Sequence, residues 1–342
     1  MTQPAAHRRA SIADVARAAG VSVGTVSNVL NRPERVLPGT RERVEAAIEE
    51  LSFVRNGSAR QLRAGTITTV GAIVLDIANP FFTDVARGIE QRLDQDDFTL
   101  MVASSDDKPD REQRYLRLFE EHGVQGVMVV PATDDIEHLL AVRRRGTGVV
   151  LLDRPSSDPS ISSVAVDDVR GGELAARHLL DEGHTRIAFL NGPHTIRQCA
   201  DRHEGVVKEL VAAGLDPATA LVEITVSSLN AEGGEAAIRG LLASGDRPTA
   251  VFCVNDLVAL GVLRTLRTEN IAVPADVAVV GYDDVAFAAE LSTPLTSVRQ
   301  PTHEIGVRAA DLLLDGPDAA VEHVMFQPTL VVRASSTRTP PK

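Results

Sequence analysis

Four polar positions, Asp153, Arg202, Asn255 and Asp283, are the residues of this 342-residue chain best suited to chemistry with a small polar molecule. Carboxylates accept hydrogen bonds in pairs, an amide both donates and accepts, and a guanidinium donates as a fork. Such a set suits the hydroxyls of a polyol such as a sugar, with Phe81 or Phe82 supplying a stacking face. Singly, each of these residues serves more often as a helix cap or surface charge. Their weight comes from shared placement, since each follows an apolar run or the turn after one. Nothing beside them makes a catalytic group. Gly20-Val-Ser22-Val-Gly24 fits the letters of a nucleophile elbow, but it follows a helical pattern where a strand is required. His203-Glu204 and His303-Glu304 lack a second zinc ligand at the usual spacing and read as surface pairs. Cys199 and Cys253 are too few for a disulfide framework and read as small buried hydrophobes. No enzyme, metal or cofactor is expected.

Apolar runs begin near Val70, Thr99, Val124 and Thr147, each followed by a helical segment. A second series begins near Arg186, Leu221, Ala250 and Val277. Repeated β-α units of this kind imply parallel sheets with helices on both faces, hence two similar lobes. The spacing places lobe 1 at about 66–164 and 295–325, and lobe 2 at about 165–294 and 326–334. The residues 335–342 are expected to be a tail. Ligands bind such sheets at the carboxyl ends of strands, so two facing lobes make a cleft. Asp153, Asn255 and Asp283 fall at such ends, and Arg202 on the helix after Asn191-Gly192-Pro193.

Ahead of the body, Ser11–Asn31 holds two short helical patterns. Ser11 and Asp14 have capping-box spacing, and Ile12, Val15, Ala16 and Ala19 share a face. Gly20 permits the left-handed backbone of a sharp turn, and Ser22 caps again. Val26, Val29 and Leu30 then form an inner stripe, leaving Val23, Gly24, Thr25, Ser27 and Asn28 outward. This is helix-turn-helix geometry, in which the second helix presents its first residues to the major groove. Pro33 ends that helix, and Val44, Ala47, Ile48 and Leu51 supply a third. Arg17, Thr25 and Ser27 are placed for the DNA backbone.

The net charge of −12 conceals a division. Residues 1–65 carry ten arginines against six acidic residues, or +4, so the remainder carries −16. A basic head on an acidic body turns the head toward phosphate. No apolar run approaches the roughly 18–20 residues of a membrane span. The first residues lack the apolar core of a secretory signal, so a cytoplasmic location is expected.

Ile12-Ala-Asp-Val-Ala, Gly20-Val-Ser, Thr25-Val-Ser and Val29-Leu-Asn31 resemble the opening signature of the lactose-repressor (LacI/GalR) family of bacterial transcription regulators, and the resemblance extends over nearly the whole chain. It implies an all-α helix-turn-helix head at 1–57, a hinge at 58–65, and an α/β periplasmic-binding-protein-like body of two parallel-sheet lobes at 66–342. It marks Val23, Gly24 and Asn28 as base-reading positions. Ala59 and Leu62 match the hinge helix, with a paired Leu62 wedging into the minor groove. It also marks Asp153, Arg202, Asn255 and Asp283 as effector-contacting. The implied function is a repressor whose grip on palindromic double-stranded DNA is set by a small-molecule effector. Two heads imply a homodimer, and beyond Arg333 there is no apolar repeat to build a larger coiled-coil assembly. The sequence departs from a sugar-binding pattern in lacking Trp and in carrying Leu229 where many relatives have an aromatic, which leaves a purine-like or other polar metabolite open as the ligand. The alternative, a solute-binding protein of a transport system, calls for an export signal and no basic head. An enzyme using the same cleft comes third.

Overall fold

Ser11 starts the first helix, α1 (Ile12–Ala19), by a complete capping box. Its hydroxyl accepts from the Asp14 amide at 3.3 Å, and the Asp14 carboxylate accepts from the Ser11 amide at 2.9 Å. Gly20, at φ +65°, closes α1 by returning its N–H to the last carbonyls. The helices α2 (Val23–Asn31) and α3 (Pro38–Glu50) complete the head. Val15, Ala16, Ala19, Val26, Val29, Val44 and Ala47 are its buried centre, with Ile12, Val21, Leu30, Ile48, Leu51 and Phe53 packed around them. The computed structural model describes residues 10–53, 68–245, 249–316 and 319–337; the hinge residues Ala59 and Leu62 lie outside them. With so small a core, one cap matters. Ser11→Ala is expected to cost about 1 kcal/mol, read as amide exchange in α1 roughly five times faster than in the parent.

The chain divides into two units at Ile67–Thr68, so the body begins at Thr68. Its strands are β1 (Thr69–Val74), β2 (Thr99–Ser104), β3 (Gly126–Val129), β4 (Gly148–Leu152), β5 (Ser162–Val166), β6 (Ile187–Asn191), β7 (Leu221–Thr225), β8 (Ala250–Cys253), β9 (Ala278–Asp283), β10 (Thr296–Arg299), β11 (His323–Phe326) and β12 (Thr329–Val331). Its principal helices are α4 (Pro80–Leu93), α5 (Pro109–Glu121), α6 (Glu137–Arg144), α7 (Asp168–Asp181), α8 (Arg197–Ala212), α9 (Pro217–Ala220), α10 (Ala231–Ala243), α11 (Asp256–Thr268) and α12 (Thr302–Leu314). One six-stranded sheet runs β11-β5-β4-β3-β1-β2 and the other β12-β10-β9-β8-β6-β7. All pairings are parallel except β10 with β12. Most of the parallel strands are followed by a helix that returns the chain across a sheet face, so both faces are covered. The strands accordingly read as apolar runs, buried throughout in β3, β6, β8 and β9.

Three boundaries differ from the sequence reading. The first lobe keeps β5 through Val166, beyond the expected 164, because Val164 and Val166 fill its core. The return crossing comes after Arg299, not at 294–295. Thr296–Arg299 pairs with β9 in the second sheet, and only α12 and β11 go back to the first. Ser335 and Ser336 belong to no tail. Both are fully buried, with the Ser335 hydroxyl donating to the Val279 carbonyl at 2.6 Å and Ser336 bonded to His178 and Thr296 at 2.6 Å. Chain crossings in both directions make the two lobes one unit, and the cleft between the sheets carries the candidate ligand site.

Candidate functional site

At the start of α2, the Ser22 hydroxyl accepts from the Thr25 amide at 3.0 Å and lies 2.9 Å from the Thr25 hydroxyl. Burial of Val26 and Val29 turns Val23, Gly24 and Asn28 outward, with Val23 45% exposed. A Cβ at Gly24 would meet nothing nearer than the Ser22 hydroxyl, at 3.6 Å. Packing inside the head therefore does not call for glycine there, and the bare backbone is open to solvent at this point. Ser27 accepts from the Asn31 amide through its carbonyl at 2.8 Å and its hydroxyl at 3.2 Å. Arg17 projects from the end of α1, held at 2.9 Å by Asp14. Methyls, bare backbone and an amide at the centre, with hydroxyls and a guanidinium at the rim, match base edges flanked by phosphates.

In the body, a cavity of about 270 Å³ opens where strand ends of the two sheets face each other. All six expected ligand residues, Phe81, Phe82, Asp153, Arg202, Asn255 and Asp283, line it. Phe81 and Phe82, at the start of α4, meet edge to face with centroids 4.9 Å apart. Asp153 follows β4 at φ +57°. Its Oδ2 accepts from Gln198 Nε2 at 2.8 Å, and the same amide donates to its carbonyl at 2.7 Å. Asp153 Oδ1 is buried without a partner among the described residues. Asp283 closes β9 and accepts from Gln300 Nε2 at 2.8 Å, while Gln300 Oε1 is likewise unpartnered.

Arg202 is not the open fork that its sequence position suggested. Its Nε donates to Asp168 Oδ1 at 2.8 Å, another guanidinium nitrogen donates to the Val254 carbonyl at 2.7 Å, and the group lies 3.6 Å above the Tyr282 ring. The Tyr282 hydroxyl donates to the same Asp168 oxygen at 2.7 Å. Gly171 makes room for this, because a Cβ there would fall 2.1 Å from the Tyr282 hydroxyl. Asn255 also has its side chain engaged. Its Oδ1 caps α11 through the Val258 amide at 2.8 Å, and its Nδ2 donates to the Leu229 carbonyl at 3.0 Å.

Desolvation dominates the electrostatics. Burial pushes the Asp153 carboxyl up to about 8, with the Asp168 charge adding and Arg202 opposing. Burial also raises Asp283 to about 6 against the pull of Arg202 and the Gln300 amide. Asp168 is raised by burial despite Arg202 and Tyr282, and Arg202 is held strongly protonated by the aspartates around it. Asp76, Asp106 and Asp107 also line the cavity, where Arg202 is the one cationic side chain among the described residues. Such a site repels anions, and its orphaned carboxyl and amide oxygens suit a neutral ligand whose hydroxyls can both donate and accept.

Sequence reasoning missed Gln198, Gln300, Asp168 and Tyr282. Gln198 had a readable signal, since it precedes Arg202 by four residues and shares its helix face. Gln300 follows a strand end but was lost with β10 to the wrong lobe. Asp168 begins a helix and reads as an ordinary cap.

Residues 11–56 match the family described as bacterial regulatory proteins, lacI family, and residues 176–336 match a periplasmic binding protein-like domain. The chain is 32% identical over 330 residues to the HTH-type transcriptional repressor PurR of Photobacterium profundum, covering 95% of this chain and 98% of that one. Among solved structures it resembles the transcriptional regulator CelR in complex with cellobiose, at TM-score 0.70 and 31% identity over 96% of this chain and 100% of that one. It also resembles the lac repressor dimer bound to operator and the anti-inducer ONPF, at TM-score 0.75 and 28% identity with the same coverage. Among the described residues no helix is long and apolar enough to cross a membrane.

Proposed function

The chain belongs to the lacI family of bacterial regulatory proteins, and on that premise we propose that it represses transcription as a cytoplasmic homodimer on a palindromic operator, under control of a small polyol bound between the lobes. Val23, Gly24 and Asn28 read base edges, Arg17, Thr25 and Ser27 hold phosphates, and the hinge residues Ala59 and Leu62 enter the minor groove. The observation that carries this reading is the pairing, in one chain, of an exposed α2 start with a cavity between the lobes whose buried Asp153 and Gln300 oxygens lack partners among the described residues.

A volume of about 270 Å³ stands at the small end of ligand pockets, which suits a single sugar ring. The orphaned Gln300 oxygen accepts from its hydroxyls, while the orphaned Asp153 oxygen donates to one when the carboxyl is protonated and accepts from one when it is ionised. Phe81, Phe82 and Leu229 supply apolar wall, the leucine standing in the place of an aromatic platform. Effector binding changes the set of the lobes and, through it, whether two hinges order together on DNA.

Selection from a library of duplexes tests the reading. The full chain is expected to enrich palindromic fragments, with affinity falling steeply as salt rises. Exchanging Val23, Gly24 and Asn28 together changes the enriched sequence. Arg17→Ala weakens all fragments alike and reduces the salt slope by about 1. Enrichment without symmetry, or no salt-sensitive preference with and without sugars, would overturn it.

A further inference from the structure

We propose that His194, His203 and Glu223 form a binding site for a divalent transition metal ion, with Zn²⁺ the best match, on the flank of the second lobe. The three come from separate segments: His194 from the loop after β6, His203 from α8, and Glu223 from the edge strand β7. The separation hid them from any spacing rule, since His203-Glu204 has no further ligand at the usual spacing. In the fold, His194 Nε2 lies 2.7 Å from Glu223 Oε1 and His203 Nε2 lies 3.5 Å from Glu223 Oε2. The two imidazole centroids are 4.8 Å apart, and the three ligand atoms lie within 4.8 Å of one another.

Zinc binds imidazole nitrogen and carboxylate oxygen at about 2.0–2.2 Å, so ligand atoms of a tetrahedral site stand roughly 3.3–3.5 Å apart. The His203–Glu223 separation already has this value. The His194 contact, made to the other oxygen of Glu223, must open by less than an ångström, and the imidazole nitrogens, within 4.8 Å of each other, must close by up to about 1.4 Å. A strand and a helix fix two of the ligands, while the loop bearing His194 supplies the adjustment. Exposures of 47% for His194 and 28% for His203 leave an approach from solvent and room for water as fourth ligand.

The surroundings are those of a supported ligand set. Asn191, fully buried at the end of β6, donates its side-chain amide to Glu223 Oε1 at 2.7 Å and to the Cys199 carbonyl at 3.1 Å. That amide fixes the carboxylate, as outer partners of metal ligands do. It also ties the site to the first turn of α8, the helix that carries Gln198 and Arg202 into the cleft. An ion bridging β7 and α8 would thus brace one wall of the ligand cavity. A hydrogen-bonded His–Glu pair without metal is the ordinary alternative, and it makes the opposite prediction in each measurement below.

The test uses the untagged full chain, stripped with chelator and titrated with zinc chloride against a chromophoric competitor. One Zn²⁺ per chain is expected, with affinity at least tenfold weaker in His194→Asn/His203→Asn. Zinc should raise the melting temperature of the parent and leave the double variant unmoved. X-ray absorption of the loaded parent should show two imidazole ligands and an oxygen at about 2.0–2.2 Å, a readout independent of how the variant folds. Absence of stoichiometric binding, equal affinity in the variant, or a spectrum without imidazole scattering would each overturn the site.

Discussion

Arg202→Ala is expected to destabilise the body by about 3–5 kcal/mol, before any effect on ligand response is read. The guanidinium is buried, and it satisfies Asp168, the Val254 carbonyl and the face of Tyr282 at once. Its removal leaves the Asp168 carboxylate in a low-dielectric interior with the Tyr282 hydroxyl as its remaining side-chain partner among the described residues. An isolated buried charge is the costly half of a broken pair, whereas neutralising both halves costs much less. Asp168→Asn on the Arg202→Ala background should therefore recover part of the loss, and urea unfolding of the two single variants and the double one measures the coupling. If Arg202→Ala unfolds within 1 kcal/mol of the parent, the network is not what joins α7, α8 and β9. The prediction also changes how regulation must be tested. A repressor deaf to effector after Arg202→Ala could have lost its cavity wall, so loss of response alone does not make Arg202 a ligand contact. Gln198→Ala takes the amide away from Asp153, whose carboxyl is raised to about 8 and so is mostly neutral at pH 7; it strands no ion and is the cleaner probe.

Much of this was legible in the chain because local rules carried it. Ser11, Gly20 and Ser22 cap and turn the head by short-range hydrogen bonds, which need no knowledge of distant residues. The strands β1, β3, β4, β6, β8 and β9 announce themselves as apolar runs, since a parallel sheet buried on both faces demands them, whereas the edge strands β2 and β7 show shorter runs on half-exposed residues. The rule that ligands gather at carboxyl strand ends then brought Asp153, Asn255 and Asp283 to one cavity. What failed was information about partners. Thr296–Arg299 is a recognisable extended segment, but nothing in four residues says which sheet will pair with them. β11, His-Val-Met-Phe, is an apolar run of only three residues at a sheet edge, too short to name the strand it joins. Likewise, Arg202 was legible as a cleft residue while its bond to Asp168 was not, because the pair is separated by 34 positions. The histidine pair and Glu223 repeat the lesson, being neighbours only after β6, β7 and α8 have assembled.

Asp153→Asn is expected to stabilise the body, and by more as the pH rises. In the folded chain the carboxyl of Asp153 is pushed up to about 8, chiefly by burial. In the unfolded chain it returns to about 3.9. Between these values the folded state holds a proton that the unfolded state has released, so stability falls as pH rises through this window. The slope approaches about 1.4 kcal/mol per pH unit for one such group. Asparagine has no proton to release, and it keeps an acceptor for the Gln198 amide. The stability difference between variant and parent should therefore widen by on the order of 3 kcal/mol from pH 5 to pH 8. Asp283, raised to about 6, contributes in the same direction over the lower part of the window and is common to both proteins. Urea unfolding at pH 5, 6, 7 and 8 reads the difference directly. A gap that stays constant across the series would mean that Asp153 is ionised throughout, with the cavity more hydrated than its burial implies. The same protonation bears on recognition. A neutral carboxyl can donate as well as accept, so one face of the cavity can match either lone pairs or hydroxyl protons of a polyol. Raising the pH above 8 converts it to an acceptor and adds a negative charge to a cavity already lined by Asp76, Asp106 and Asp107. Binding of a neutral sugar should then respond to pH in the parent and lose most of that response in Asp153→Asn.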